Sequence, residues 1–225
     1  MLKDFITAIK LLKYNPKVKS HAVFSGIFFV IGLFYELTGK GDSILGVIYL
    51  LCPATTFWQS HYTSCMCGLV QSSQAKKKMQ TYYPFLLCIP YLLLVYVIVF
   101  VYHFYLAKNG MEGFTYSVNY GIQSKYLFFA GAMLGTLLIY SVVSYKEFVI
   151  SVIVLVVVEL SIIFLGLSES QKLISFFGRH FTQSVAFSII FVVIGCAGAV
   201  IMANLLYKKD IDEIAVKGIA RSLNK

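Results

Sequence analysis

Six long apolar runs separated by short polar breaks set the pattern of this chain. They lie at about residues 21–38, 44–69, 84–106, 124–144, 148–166 and 183–206. A run of about 20 apolar residues is long enough to cross a bilayer as a helix, which satisfies its backbone polar groups internally. The pattern therefore predicts an all-α polytopic membrane protein, a single transmembrane domain of six transmembrane helices. Ahead of the first run, Leu2, Phe5, Ile6, Ile9 and Leu12 recur at helical spacing, with Lys3, Asp4, Lys10 and Lys13 mostly off that face. This predicts an N-terminal interfacial amphipathic helix within residues 1–19, lying in the headgroup layer. It stops at Asn15-Pro16, because proline lacks the donor and restricts the residue before it.

The breaks are short. Residues 107–123, with Asn109-Gly110 and Gly113, read as a turn-rich connection. Between Ser168 and Gln183, Leu173, Ile174, Phe176, Phe177 and Phe181 alternate with polar residues, which predicts a short amphipathic or re-entrant helix. In the tail, 207–225, the acids of Asp210-Ile-Asp-Glu-Ile-Ala suit the start of a further short helix.

Charge orients the runs. With the N-terminus inside, Lys3, Lys10, Lys13, Lys17, Lys19, Lys76, Lys77, Lys78, Lys146, Lys208, Lys209, Lys217, Arg221 and Lys225 fall on the inner side. Only Lys40, Lys108, Lys125, Lys172 and Arg179 fall outside. The positive-inside rule then makes both termini cytoplasmic. The first run is not expected to be a cleaved leader, since about twenty residues precede it and no small-residue cleavage site follows. The expected location is the inner (cytoplasmic) membrane of a bacterial cell, as a multi-pass protein.

Composition narrows the partners. Hydrophobic residues make up 59% and charged residues 13%, with mean hydropathy +0.79, outside the balance of soluble domains. The net charge of +9 does not point to nucleic acid, because the basic residues flank apolar spans. They read as topology determinants and contacts to anionic membrane lipids.

Little in the chain suggests catalysis. Cys52, Cys65, Cys67, Cys88 and Cys196 lie in or beside spans, where cysteine behaves as a small apolar residue. His21, His61, His103 and His180 are scattered, without an H-E-x-x-H pair or a nearby carboxylate. Gly39-Lys40 lacks the rest of a phosphate-binding loop, and no nucleophile motif is present. No metal or cofactor is expected in this chain, and no enzyme activity.

Two spans break the apolar monotony. In the second, Thr55, Gln59 and Thr63 repeat at i, i+4, i+8 after Pro53, making one polar stripe among Thr56, Ser60, His61 and Tyr62. Such a stripe serves either interhelical hydrogen bonding or the lining of a cavity. The fifth span is almost wholly β-branched or leucine except for Glu159, the one acid expected deep in a span. An acid there costs on the order of 3 kcal/mol on insertion scales, so it is expected to face inward and be paired or protonated. It sits about 18 Å from the inner surface, near the depth of Thr55. Gly131-x-x-x-Gly135 and Gly195-x-x-x-Ala199 let helices approach closely, for internal packing or dimerisation.

The most informative break is the basic bend between the second and third runs, Gln71, Ser72, Ser73, Gln74, Ala75, Lys76, Lys77, Lys78 and onward to Thr81. A compact cationic bend on the inner side is a natural handle for a soluble partner. Together with the flat N-terminal helix, the outer amphipathic segment and the inner termini, it resembles the layout of the membrane subunit of ABC-2-type transporters, permeases with a type V exporter-like fold. The segment Gly68 to Pro84 is similar to the part of those permeases that carries their coupling helix, with lysines where arginine is usual and no proline before the cluster. The resemblance implies two such subunits, as a homo- or heterodimer, docked through the bend on cytoplasmic ABC ATPase subunits that hold ATP and Mg. It implies export of a peptide, lipid-like or drug-like substrate through a cavity lined by the second and fifth spans, which here carry Thr55, Gln59, Thr63 and Glu159. The alternative is an ion- or proton-coupled secondary transporter using Glu159, although no internal repeat supports it.

Overall fold

The computed structural model describes residues 2–13, 15–41, 43–65, 70, 72–110, 113–168 and 170–223. Among them there are helices and turns and no strand. The helices are α1 (Leu2–Lys13), α2 (Val18–Gly39), α3 (Leu45–Cys65), α4 (Lys76–Thr81), α5 (Tyr83–Asn109), α6 (Tyr116–Val143), α7 (Phe148–Leu167), α8 (Gln171–Arg179), α9 (Phe181–Leu206) and α10 (Glu213–Leu223).

Among the described residues, five stretches are long and apolar enough to cross a membrane: α2, α4 running into α5, α6, α7 and α9. They mark a multi-pass membrane protein. α3 covers the second predicted span and has 21 residues, but its polar run from Thr55 to Ser64 keeps it outside that group. Its polarity is shielded. Leu50, Ala54, Trp58, His61 and Tyr62 are buried among the neighbouring helices.

The core gathers around α6. Of its most apolar window 61% is buried, against 6% for α7, so α6 is the central helix and α7 a peripheral one. The small-residue motifs explain how α6 gets there. A Cβ on Gly135 would lie 2.6 Å from the Phe191 carbonyl oxygen of α9, and one on Gly195 would overlap the Gly135 backbone. Ala199 is fully buried. The motifs of α6 and α9 therefore pack against each other within one chain, closer than any larger side chain permits.

Contacts sort into two ends. At the terminal end, the Asn15 amide reaches the Ser60 carbonyl at 3.5 Å and His21 bonds the Ser60 hydroxyl at 2.7 Å. There too Tyr62 stacks on Tyr145 with ring centroids 4.0 Å apart, and the Asp212 N–H donates to the Tyr145 carbonyl at 2.9 Å. At the far end, Lys125 donates to the Ser168 carbonyl at 2.8 Å, Asn119 to that of Leu106 at 2.9 Å, and the rings of Tyr120 and Phe181 meet at 4.7 Å. α3 reaches both ends, since Gly46 packs against Glu36 and Tyr62 against Tyr145.

The amphipathic helices follow the pattern. Among the described side chains of α1 only Ala8 is fully buried, while Phe5, Ile6 and Ile9 remain about 40% exposed, an apolar face left open on the terminal end. α8 packs along the start of α6, with Phe177 buried and Gly178 close to the Ser117 carbonyl. α10 begins just after Asp212, whose carboxylate accepts the Ile214 N–H at 2.8 Å, an N-cap bond.

One boundary differs. α6 begins at Tyr116, eight residues before the predicted span, so much of the expected loop 107–123 is helix. Asn119, Gln123, Ser124 and Lys125 are buried there. Their polarity resembles that of a loop, but Asn119, Gln123 and Lys125 each bond the end of a neighbouring helix, which lets the helix continue past the apolar run.

Candidate functional site

The polar stripe of α3 starts at a proline. Pro53 has no N–H to donate, which loosens the backbone ladder around it. Tyr91 of α5 donates to the Leu50 carbonyl at 2.7 Å and the Cys88 thiol lies 3.5 Å from the Ala54 carbonyl. The threonine hydroxyls turn back onto their own helix, Thr55 to Cys52 at 2.7 Å and Thr63 to Gln59 at 2.7 Å. Thr56 and Ser60 bond across to α2, through Ser25 at 2.6 Å and His21. Thr56 and Ser60, beside the stripe, tie helices together, while Thr55 and Gln59 of the stripe itself line cavities. Thr63 lines neither cavity.

There are two relevant cavities, and Thr55 borders both. The inner one, about 590 Å³ at the terminal end, is walled by Trp58 and Gln59 of α3, Tyr140 and Ser144 at the end of α6, and Ile214 and Lys217 of α10. The middle one, about 160 Å³, lies between α3, α6 and α7, lined by Ile48, Leu51, Met133, Leu137 and Glu159. The Thr136 hydroxyl stands 2.5 Å from Oε1 of Glu159. Oε2 is buried without a hydrogen-bond partner among the described residues. Thr55 and Glu159 therefore face one cavity, as their equal depth suggested, with the acid half-satisfied in an apolar wall. Such an arrangement can accept a hydrogen bond from a bound molecule or carry a proton.

The basic bend is an outward-facing element. Ser72, Ser73, Gln74, Lys77 and Lys78 are exposed and Lys76 is half-buried, whereas Met79 and Gln80 point into the bundle. Gln71 lies outside the described residues, as does Cys67. The anchor of the bend is Lys146, from the turn between α6 and α7. This lysine is buried and donates to Oε1 of Gln80 at 3.1 Å and to the Lys209 carbonyl at 2.6 Å. Burial, with Lys76 nearby, pulls its pKa down to about 8. Glu147 pairs with Lys209, and the Lys77 ammonium sits 5.4 Å over the Tyr207 ring. The bend is thereby joined to the α6–α7 turn and to the tail.

A second buried acid escaped the sequence reading. Glu36, in the last turns of α2, is 3% exposed. Its Oε1 lies 2.7 Å from Nε2 of His103 and its Oε2 accepts from the Tyr126 hydroxyl at 2.5 Å. His103 also bonds Oε1 of Gln123, whose amide donates to the Lys40 carbonyl at 2.8 Å. His103, with no carboxylate near it in sequence, thus has one beside it in space, and Glu36 is a second buried acid, near the end of a span rather than deep in one. The Gln123 amide donates to Lys40, so its oxygen faces Nδ1 of His103, and both ring nitrogens and both Glu36 oxygens have partners. A fully bonded cluster is tolerable inside a bundle where an isolated charge is not. The only signal available in advance was the run of polar residues at Asn119 and Gln123, one helical turn apart.

No family model matches this chain, and no curated protein or solved structure is significantly similar to it. Among the described residues four free thiols, Cys52, Cys65, Cys88 and Cys196, are dispersed, and no group of three metal-binding side chains occurs.

Proposed function

We propose that this chain is the membrane-spanning permease subunit of an ATP-driven ABC exporter, in the cytoplasmic membrane, with both termini inside. The observation that carries the reading is the basic bend. It exposes Ser72 to Gln74, Lys77 and Lys78 while Gln80 and Lys146 tie it to the turn of α6–α7 and to the tail. A cytoplasmic ATPase pulling on this handle would move α6, α7 and α9 together. α3 serves as the sixth span, because its polar side chains are covered by other helices and need not meet lipid. The apolar outer faces of α2, α7 and α9 suit lipid or a second permease subunit. ATP and Mg belong to the partner, and the substrate, a peptide, lipid-like or drug-like molecule, occupies the cavities around Thr55, Gln59 and Glu159.

The test is charge reversal of the bend. Changing Lys76, Lys77 and Lys78 together to Glu should leave the purified chain helical but abolish ATPase association and transport. Normal assembly and transport, with unchanged topology, would contradict the coupling role. The unpartnered Oε2 of Glu159 favours a second reading, a proton- or ion-coupled transporter working alone. Under that reading Glu159→Gln abolishes proton-coupled flux in vesicles that contain no ATP.

A further inference from the structure

The inner cavity has a chemistry of its own. Its volume, about 590 Å³, falls in the range of small-molecule sites. Among the described residues no carboxylate lines it, and its polar groups can donate: the indole of Trp58, the amide of Gln59, the hydroxyls of Tyr140 and Ser144, and the ammonium of Lys217. Lys217 pairs with Glu213 at 3.5 Å, both side chains well exposed. An exposed pair of this kind is weak and exchanges readily. Trp58 adds a separate observation. It is 1% exposed, and its indole nitrogen is buried without a partner among the described residues. An indole N–H can only donate, and one left unpaired in a protein interior costs free energy that an acceptor would recover. The remaining wall is apolar or aromatic, from Phe148, Tyr145 and Ile214.

We propose that this cavity binds an amphiphile with a carboxylate head. The carboxylate accepts from the Trp58 N–H and the Gln59 amide, and the apolar body lies against Phe148 and Ile214. α10 contributes one wall of the site, so the ligand is bound between α3, α6 and the tail helix. That the ligand is also the exported substrate rests on the permease reading; the binding itself does not.

Trp58 is the only tryptophan in the chain, so its fluorescence reports on this cavity alone. The full chain, reconstituted in nanodiscs of unbrominated lipid, would be titrated with a dibrominated stearate, whose bromines quench indole on contact. The expected result is saturable quenching, reversed by plain stearate. The methyl ester, which lacks the anionic head, should bind at least about tenfold more weakly, as should the acid to a Gln59→Leu variant. Brominated phosphatidylcholine should leave the emission unchanged, since Trp58 is shielded from lipid. Absent or unsaturable quenching by the acid, or equal affinity for acid and ester in the unmodified protein, would overturn the proposal. No ATPase or transport enters the measurement, so the ligand can fail while the permease reading stands, and the reverse.

Discussion

Glu36 and Glu159 are both acids in long apolar helices, yet the bundle treats them in opposite ways. Glu36 has a partner at each oxygen, His103 and Tyr126, and His103 is held in turn by Gln123, whose amide donates to the Lys40 carbonyl. Glu159 has one partner, Thr136, whose hydroxyl also lies within reach of the Ala132 and Met133 carbonyls at 3.1 and 3.0 Å. Removing Glu36 orphans donors from two helices; removing Glu159 orphans none. A saturated cluster fixes the positions of α2, α5 and α6, whereas a half-satisfied acid in a cavity wall retains capacity to bind something else. Burial alone would have ranked Glu36 as the functional acid. Counting hydrogen bonds assigns it to structure and leaves Glu159 with one oxygen unpartnered among the described residues.

The largest expected effect is on the saturated side. Glu36→Leu should lose about 3–5 kcal/mol of unfolding free energy, the usual consequence of removing one partner from a buried pair. Equilibrium unfolding in mixed micelles would measure it, and a loss under about 1 kcal/mol would show that the cluster does not organise the far end.

An intermediate effect is expected from Lys146, a buried cation at the opposite end. Its folded pKa of about 8 lies below the 10.5 of a free lysine, so the unfolded chain binds that proton more tightly. Stability should therefore rise as pH climbs from about 8 to about 10.5. Allowing for solvent screening, the rise should amount to about 1–2 kcal/mol. The difference between the unmodified chain and Lys146→Met, followed across that window, isolates it. Parallel pH profiles would mean that Lys146 carries no strained charge.

The smallest effect on stability belongs to Glu159→Leu, within about 1 kcal/mol of the unmodified protein or slightly stabilising, because an apolar side chain suits that wall. Transport should nevertheless be lost in reconstituted vesicles. A destabilisation as large as that of Glu36→Leu would erase the contrast between the two acids.

How far the sequence reaches differs between these regions. The long helices, α1, α8, α10 and the basic bend follow from hydrophobic period and charge, which act within a single segment. Glu159 stood out because nothing else in α7 is charged. Glu36 did not, because it falls within a few residues of a span's end, where an acid can reach the headgroup layer at little cost. Its partner His103 is 67 residues away, and pairings of that kind arise only when helices pack. The start of α6 was missed for the same reason: Asn119 and Gln123 look like loop residues until the helices they bond are in place. Which polar residues of α3 tie helices and which line a cavity likewise depended on neighbours, α2 for Thr56 and Ser60, α6 and α10 for Gln59.

The most direct measurement is a mild-detergent pull-down of the tagged chain, with mass spectrometry of its partners and an ATPase assay on the eluate. A permease should bring down a nucleotide-binding subunit in stoichiometric amount, with vanadate-sensitive turnover, and should lose it when Lys76, Lys77 and Lys78 are changed to Glu. A chain that comes down alone and inactive, under conditions that preserve other ABC complexes, would contradict the permease reading.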